Sequence, residues 1–387
     1  MRLFLEPTEP LLFRRTGRSF DAGESGFADT FFPPTPETLQ GAIRAAIATH
    51  WDRTKTLVEV FQQEELVQLI GDRNSYGRFR ITGLTLGRMS SDGSIERLFP
   101  PPAHLFTVKG GVQDKQQQLV RLQPNPMWAE GVYTDLPDGM QLLYPDKKVE
   151  SKLEPLGGWL TEHGLLKALR TKEDLTTEER VSNQEIFEYE SRLGIGMNNA
   201  TKSTREGLLY QMRMVRMKPG YGFVIDIRVS QPFPNGTATA HHEVLEDDSQ
   251  TQQQLRLPDS GWITLGGERR AARFEVLTSS DLAIQGAVEQ ASKGNLMYLA
   301  TPAAFTGGWQ PGQWSTTTQP IAAAIHRYQL IGGWSLRPRD SGGENKSIRR
   351  CVPAGSIYFF DTSVTVTEPM TEYGWQIGYG IAYAGER

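Results

Sequence analysis

The chain has 387 residues, 41 Lys and Arg against 45 Asp and Glu for a formal charge of −4, and a hydrophobic share of 38%. That length allows two or three domains around a sizeable core, the composition excludes disorder along the whole chain, and the charge confines any polyanion-binding surface to a local patch. The single cysteine, Cys351, excludes an internal disulfide and a multi-thiolate zinc site; with no signal-like stretch at Met1 to Pro7 and no long apolar run, a soluble, cytoplasmic protein without membrane contact is expected.

Leu3 and Leu5 alternate with Phe4, which predicts an opening strand, and the Gly-, Ser-, Asp- and Pro-rich run from Gly17 to Pro34 predicts a loop. Thr35 reads as an N-cap with Pro36 at the first helical position, after which Leu39, Ile43, Ala46, Ile47 and Trp51 recur at helical spacing. Phe79 and Ile81, then Leu84 and Leu86, alternate on either side of Gly83, the pattern of a strand pair or of one strand bent at a bulge. From Pro100 to Tyr189 regularity falls away, and the segment reads as a large surface insertion with one helix over Trp159 to Arg170. Strands are predicted at Leu208 to Met217, Tyr221 to Val229 and Arg273 to Leu277, a polar loop at Asn235 to Pro258, and a β-rich stretch from Asp281 onward. No fixed-period repeat is present, which excludes solenoids and propellers.

The strongest electrostatic feature lies between Arg192 and Arg228. Seven basic residues (Arg192, Lys202, Arg205, Arg213, Arg216, Lys218, Arg228) stand there against Glu206 and Asp226, a local charge of about +5. Asn198, Ser203 and Thr204 in the same stretch can donate to phosphate and sugar oxygens. Arg14, Arg15 and Arg18 form a second basic patch, and Arg269 and Arg270 with Arg273 a third. Gly220-Tyr221-Gly222-Phe223-Val224 overlaps the aromatic RNA-recognition signature, though Pro219 sits where its basic residue belongs and Asp226 where its second aromatic does. Tyr221 is thus either a base-stacking ring or a core residue. Gly378 and Gly380 lack dinucleotide-loop spacing and are either a bulge at a strand crossing or a place of close approach to a phosphate chain.

Catalytic patterns are missing. The six histidines form no HExxH pair, no HD dyad and no His-x-Glu with a CxxC, and no nucleophile elbow or Walker loop occurs, so no catalytic residue, cofactor or metal site is expected. Five tryptophans follow a glycine (Trp159, Trp262, Trp309, Trp334, Trp375), which leaves a carbohydrate-binding β protein as one alternative.

Several stretches, in order along the chain, resemble the third-subunit family of the type III-B CRISPR effector, the Cmr complex, within the RAMP superfamily. They are Phe13-Arg14-Arg15-Thr16-Gly17-Arg18-Ser19-Phe20, Pro33-Pro34-Thr35-Pro36-Glu37-Thr38, Arg192-Leu193-Gly194-Ile195-Gly196 with Glu206-Gly207-Leu208-Leu209-Tyr210, and Leu265-Gly266-Gly267-Glu268-Arg269-Arg270. Val352-Pro353-Ala354-Gly355-Ser356 and the glycine-rich run from Gly374 to Gly385 complete the set. Arg15 stands where the family has an acid, Ser19 where it has a proline and Arg269 where it has a glycine.

The resemblance implies an α+β chain of two ferredoxin-like (RRM-like) folds. The first covers 1–277, with an insertion at about 100–190 and a thumb-like hairpin at about 192–205; the second covers 278–387 and holds the glycine-rich segment. It further implies a non-catalytic, RNA-binding subunit of an antiviral ribonucleoprotein, which holds the 5′ repeat-derived tag of the CRISPR RNA and bridges a large polymerase-like subunit to a backbone RAMP subunit. The RNA-contact set expected from residues and resemblance together is Arg14, Arg15, Arg18, Arg192, Asn198, Lys202, Arg205, Tyr221, Arg269, Arg270, Gly378 and Gly380. A RAMP endoribonuclease that processes repeat RNA is the other alternative, and it requires an acid/base group near a ribose 2′-hydroxyl.

Overall fold

The computed structural model describes residues 1–14, 27–72, 75–109, 119–125, 136–198, 200–232, 244–278, 281, 293–311, 319–335 and 344–387. In chain order the principal elements are β1 (Arg2–Pro7), α1 (Pro36–Trp51), β2 (Phe79–Met89), β3 (Ile95–Phe99), β4 (Trp159–Thr161), α2 (Glu162–Arg170), β5 (Phe187–Met197), β6 (Thr204–Met217), β7 (Tyr221–Val229), α3 (Asp248–Leu255), β8 (Ser260–Thr264) and β9 (Ala271–Leu277). Toward the C-terminus follow β10 (Lys293–Leu299), β11 (Ala322–Ala324), β12 (Gln329–Ile331), β13 (Arg349–Cys351), β14 (Ile357–Thr365) and β15 (Ala382–Gly385). The fold is mixed α+β with few helices, and nearly all of its strand pairs are antiparallel.

An eight-stranded sheet runs in the order Arg180–Val181, β4, β3, β2, β7, β1, β9, β8. Its centre, β9-β1-β7-β2, is one β-α-β-β-α-β path whose strands lie in the order fourth, first, third, second, with α1 leading into β2 and α3 leading into β9. Alternation decides which face the helices cover. Leu3, Leu5, Phe79, Ile81, Phe223, Ile225, Ile227 and Phe274 share one buried cluster with Leu39, Ile43 and Ile47 of α1, while Phe4, Val224 and Ile95 form a small cluster of their own. Thr35 caps α1 with extended backbone, but its hydroxyl meets Thr38 Oγ1 at 3.2 Å and no backbone N–H.

Two expectations change at this level. The stretch over Phe79 to Met89 is a single strand, and its register slips opposite Asp226 and Ile227, so the bulge falls at Thr82. Gly83 beside it makes room for Asp226, because a Cβ there would lie 2.1 Å from Oδ2; that carboxylate holds the Arg2 guanidinium. The expected polar loop contains helix α3, capped by a reciprocal Asp247–Gln250 box and buried only at Thr251 and Leu255. A helix that buries so little of itself leaves almost no apolar periodicity to read.

A second sheet, β11-β14-β10-β15, repeats the fourth-first-third-second order, with β10 as first strand and β15 as fourth. No α-helix lies between its strands among the described residues. The cover comes from the segment expected to be a surface insertion. Leu165, Ala168 and Leu169 of α2, with Leu105, Leu119, Leu156 and Leu160, share a cluster with Leu296, Tyr298, Phe359 and Tyr383. Tyr298 Oη donates to the Pro100 carbonyl at 2.7 Å, and the Gly385 backbone runs so close to Leu169 that a Cβ would lie 2.7 Å from that carbonyl. The expected helix over Trp159 to Arg170 begins only at Glu162; its first three residues are strand β4.

A buried ion pair fixes α2 against β3. Arg97 Nη2 and Nε meet Glu162 Oε1 and Oε2 at 2.7 and 3.0 Å, with both side chains 2% exposed. Glu162→Gln leaves a buried guanidinium half-satisfied and is expected to cost about 3–5 kcal/mol in chemical denaturation, with the double change Arg97→Met, Glu162→Leu recovering much of the loss. His104 is fully buried, edge-on to Phe359 at 5.8 Å, and desolvation followed by Arg121 pushes its pKa down to about 3. The unfolded chain therefore takes up a proton that the folded chain refuses, and the stability present above pH 6.5 is lost as pH falls from 6.5 toward 3. Between pH 6.5 and 5, His104→Leu is expected to flatten the pH dependence of unfolding by up to about 1.4 kcal/mol per pH unit.

Candidate nucleic-acid interface

Strands β5 and β6 form a long antiparallel hairpin paired from Phe187–Met217 to Met197–Thr204. Beyond Gln211, where β6 leaves the short strand Phe27–Ala28, the strand runs on to Thr204 for about 23 Å. The segment 192–205 is the distal part of this hairpin. Its tip is a turn in which Asn198 accepts from the Lys202 N–H through its carbonyl (2.8 Å) and from the Ala200 N–H through Oδ1 (3.0 Å). Lys202 is exposed and left-handed, with φ 54°. Tyr210 lies across Gly194, where a Cβ would be 2.2 Å from the ring, so an aromatic covers the backbone that a glycine leaves bare.

Three segments distant in sequence meet at the base of the hairpin. Leu11 and Val215 exchange backbone hydrogen bonds at 2.7 and 2.9 Å, and the Phe31 N–H donates to the Phe13 carbonyl at 2.8 Å. On the other side the Gly267 N–H donates to the Leu12 carbonyl at 2.8 Å. The strip Leu11 to Arg14 is thus clamped between the hairpin and the turn Gly266–Arg270, which brings Arg14 and the turn that carries Arg269 and Arg270 to the base of the hairpin. Gly266 (φ 76°) is required here because a Cβ would lie 2.7 Å from the Leu12 carbonyl oxygen. The next two non-glycine residues of that turn, Glu268 and Arg269, are left-handed at φ 61° and 51°. Four non-glycine residues with positive φ occur among the described residues, and Lys202, Glu268 and Arg269 are three of them. Strain of this kind persists where surrounding structure enforces it and concentrates at binding sites.

The charge is lower than the sequence window indicates. Glu188 and Glu190 stand just before Arg192, and Glu190 takes both Arg192 Nε and Arg216 Nη2 at 2.6 Å. Its carboxyl is held below its ordinary range, first by the hydrogen bond from Arg192 and then by that from Arg216. Arg213 pairs with Asp29 at 2.9 Å and lies over the Tyr189 ring at 4.4 Å, Arg228 pairs with Asp248, and Arg270 faces Glu9 at 3.6 Å. Arg14 is exposed beside Thr30, and Arg269 is exposed at the tip of its turn. Arg15 and Arg18 lie outside the described residues; Arg205 belongs to β6, and its side chain is likewise outside them.

Three expected contacts stand elsewhere. Tyr221 is half-buried and packs against the main core on the helix-covered face with Phe223, because its register opposite Arg88 points it to that side. Gly378 (φ 98°) and Gly380 (φ 68°) are buried: a Cβ on the first would lie 2.9 Å from Ile81 Cγ2, and on the second 2.6 Å from the Met370 carbonyl oxygen. This C-terminal segment is pinned by a contact that pattern reading passed over. Tyr373 and Tyr379 donate to Oε1 and Oε2 of Glu37, in the first turn of α1, at 2.8 and 2.6 Å. Burial, and after it the Glu37 charge, raises both phenols, and burial pushes the neighbouring Cys351 thiol up to about 12.

Among the described residues no group of three or more His, Cys, Asp or Glu is placed to hold a metal ion, and no helix is long and apolar enough to cross a membrane. A family model described as CRISPR-associated protein (Cas_Cmr3) matches residues 3–387. No curated protein matches the chain. Among solved structures it is similar to a chain of the Type III-B Cmr-beta bound to cognate target RNA and AMPPnP, at 15% identity and TM-score 0.47 over 93% of this chain and 86% of that one. A second similar chain comes from the Type III-B Cmr-beta bound to cognate target RNA, at 16% identity and TM-score 0.45 over the same shares.

The protein contacts at the buried glycines set an expected outcome. Gly380→Ala combines a left-handed backbone with a clash against main chain, and thermal or chemical melting is expected to register a loss greater than the 1–2 kcal/mol, roughly, of the conformation alone. Gly267→Ala, whose added Cβ would meet nothing closer than 3.4 Å and whose φ is not left-handed, is the matched control and is expected to melt within about 1 kcal/mol of wild type.

Proposed function

The chain belongs to the Cas_Cmr3 family of CRISPR-associated proteins, the third-subunit family of the type III-B effector, and from that premise we propose that it is a non-catalytic subunit that holds the 5′ repeat-derived tag of the CRISPR RNA. The centre of the eight-stranded sheet and the sheet β11-β14-β10-β15 are each read as a ferredoxin-like fold. What supports this is the fourth-first-third-second strand order of both, complete with two helices in the first and covered by α2 of the intervening segment in the second. By the same reading, the large polymerase-like subunit and a backbone RAMP subunit are its protein partners in antiviral defence.

One observation carries the RNA-holding role: the strip ending at Arg14 and the strained Gly266–Arg270 turn meet the base of the hairpin, and Arg14 and Arg269 there, like Lys202 at the hairpin tip, are exposed. Cations without base-reading geometry grip phosphates and fix the register of a strand without choosing its sequence. The ion pairs at the hairpin base hold Arg192, Arg213 and Arg216 in place, so the contacts available to phosphate lie at the tip and along the turn. With a net charge of −4 and few phosphates to neutralise, the chain alone binds weakly and salt-sensitively, and its partners supply the remaining affinity.

Because Lys202 is left-handed, the test removes its charge with a residue that tolerates that conformation. The variant Lys202→Gly, Arg205→Ala is expected to keep its melting temperature and to lower affinity for a tag-bearing RNA and for unrelated single strands alike, with the log–log salt slope smaller by about 1.4. Normal guide loading into the assembled effector by this variant would sink the assignment of the hairpin tip.

A further inference from the structure

A second basic surface lies outside the residues discussed so far. From Arg327 to Arg350 the sequence carries six basic residues (Arg327, Arg337, Arg339, Lys346, Arg349, Arg350) against Asp340 and Glu344. Strands β12 and β13 pair antiparallel in this stretch, Leu330 opposite Arg350 and Ile331 opposite Arg349, to form a two-stranded ribbon. Its two faces differ. Ile331 and Cys351 are buried with Ile377 and Tyr379, so one face is seated on the C-terminal glycine-rich segment. The other face presents Tyr328, Leu330, Ile348 and Arg350, all exposed, flanked by Arg327 and Lys346.

Two guanidinium groups lie against rings here: Arg349 over Tyr373 at 3.7 Å and Arg350 over Tyr328 at 5.4 Å. Neither these arginines nor Arg327 and Lys346 meet a carboxylate within ion-pair distance among the described residues, in contrast to Arg192, Arg213 and Arg216 in the hairpin. An arginine stacked on tyrosine keeps its charge, loses little freedom on binding, and sits beside a π-face on which an unpaired base can stack. Exposed aromatic and aliphatic side chains inside a positive frame suit a single strand with its bases turned outward from the backbone, whereas a duplex would present phosphates alone.

We propose that the outer face of the β12–β13 ribbon is a second binding surface for single-stranded RNA, with Arg327, Lys346 and Arg350 on phosphates and Tyr328 under a base. The proposal rests on the reading of the chain as an RNA-holding subunit, and it adds a contact on the C-terminal sheet, separate from the hairpin. Charge complementarity decides for RNA over a protein partner: among the described side chains the face offers three cations, three large apolar groups and no acid.

The test uses the full-length chain and a fluorescein-labelled oligouridylate, read by anisotropy across a salt series. Arg327→Gln, Lys346→Gln, Arg350→Gln together are expected to lower affinity about tenfold and to reduce the salt slope by about 2, at an unchanged melting temperature. A 4-thiouridine probe is expected to cross-link the wild-type chain within the peptide carrying Tyr328 and Leu330, a readout that does not depend on any variant folding. If the triple variant binds like wild type and no such cross-link forms, while the Lys202 and Arg205 variant is weakened, the ribbon assignment is overturned and the hairpin reading stands. If the wild-type chain binds no RNA at any salt, both fall. If RNA binding is untouched and the triple variant instead loses association with another effector subunit, the ribbon is a protein-docking face and the proposal is wrong.

Discussion

One carboxylate joins the two halves of this molecule. Glu37 sits in the first turn of α1, where the free N–H groups and the helix dipole favour a negative charge, and it accepts from Tyr373 and Tyr379, more than 330 residues away. Charged acceptors make the stronger hydrogen bonds, and burial strengthens them further by excluding competing water. The contact clamps the turn around Gly374 to Gly380 onto the first sheet, and Gly378, lying against Ile81, lets the backbone come close enough for both phenols to reach. The C-terminal sheet hangs from that turn through β15, and the basic ribbon rests on it through Ile331 and Cys351. The ribbon therefore depends directly on this joint, since Tyr379 packs with Ile331 and Cys351 and Tyr373 lies under Arg349.

The first half of the fold was legible where periodicity was long. The 16 residues of α1 and the strands β1, β2 and β7 carry enough alternation or helical spacing to declare themselves. The region from Pro100 to Tyr189 did not, because its strands are short: Leu105–Val108, Leu143–Pro145 and Leu153–Pro155 hold three or four residues each, too few for a period to show. Helix α2 was visible as a helix, but nothing in its own sequence says that its apolar stripe covers β10 and β15, which follow more than 120 residues later. Long-range pairing of this kind is a property of the assembled core.

The candidate site shows the same division between local and distant information. The basic content of Arg192 to Arg228 was plain, yet its effective charge depended on Glu190, which lies just outside that window and one cross-strand diagonal from Arg216. Tyr221 fitted a base-stacking ring or a core residue on its local sequence, and its packing against the main core came from strands distant in the chain. Glu37 stood inside a stretch already singled out, Pro33-Pro34-Thr35-Pro36-Glu37-Thr38, where the proline at the helix start explained the pattern and drew attention from the acid beside it. Its role depends on two tyrosines at the other end of the chain.

The two basic surfaces are built on opposite principles. At the hairpin base the arginines are satisfied internally, by Glu190 and Asp29, so the positive charge is spent on holding strands, and the tip and the strained turn face outward. On the ribbon Arg349 and Arg350 are braced by tyrosine rings, which position a guanidinium without neutralising it. A carboxylate brace fixes geometry by removing the field a phosphate would feel, whereas an aromatic brace fixes geometry and leaves that field intact. In a chain whose net charge is −4, the second device is the one that lets a small patch attract a polyanion, so a surface with fewer ion pairs and more rings keeps more of its field.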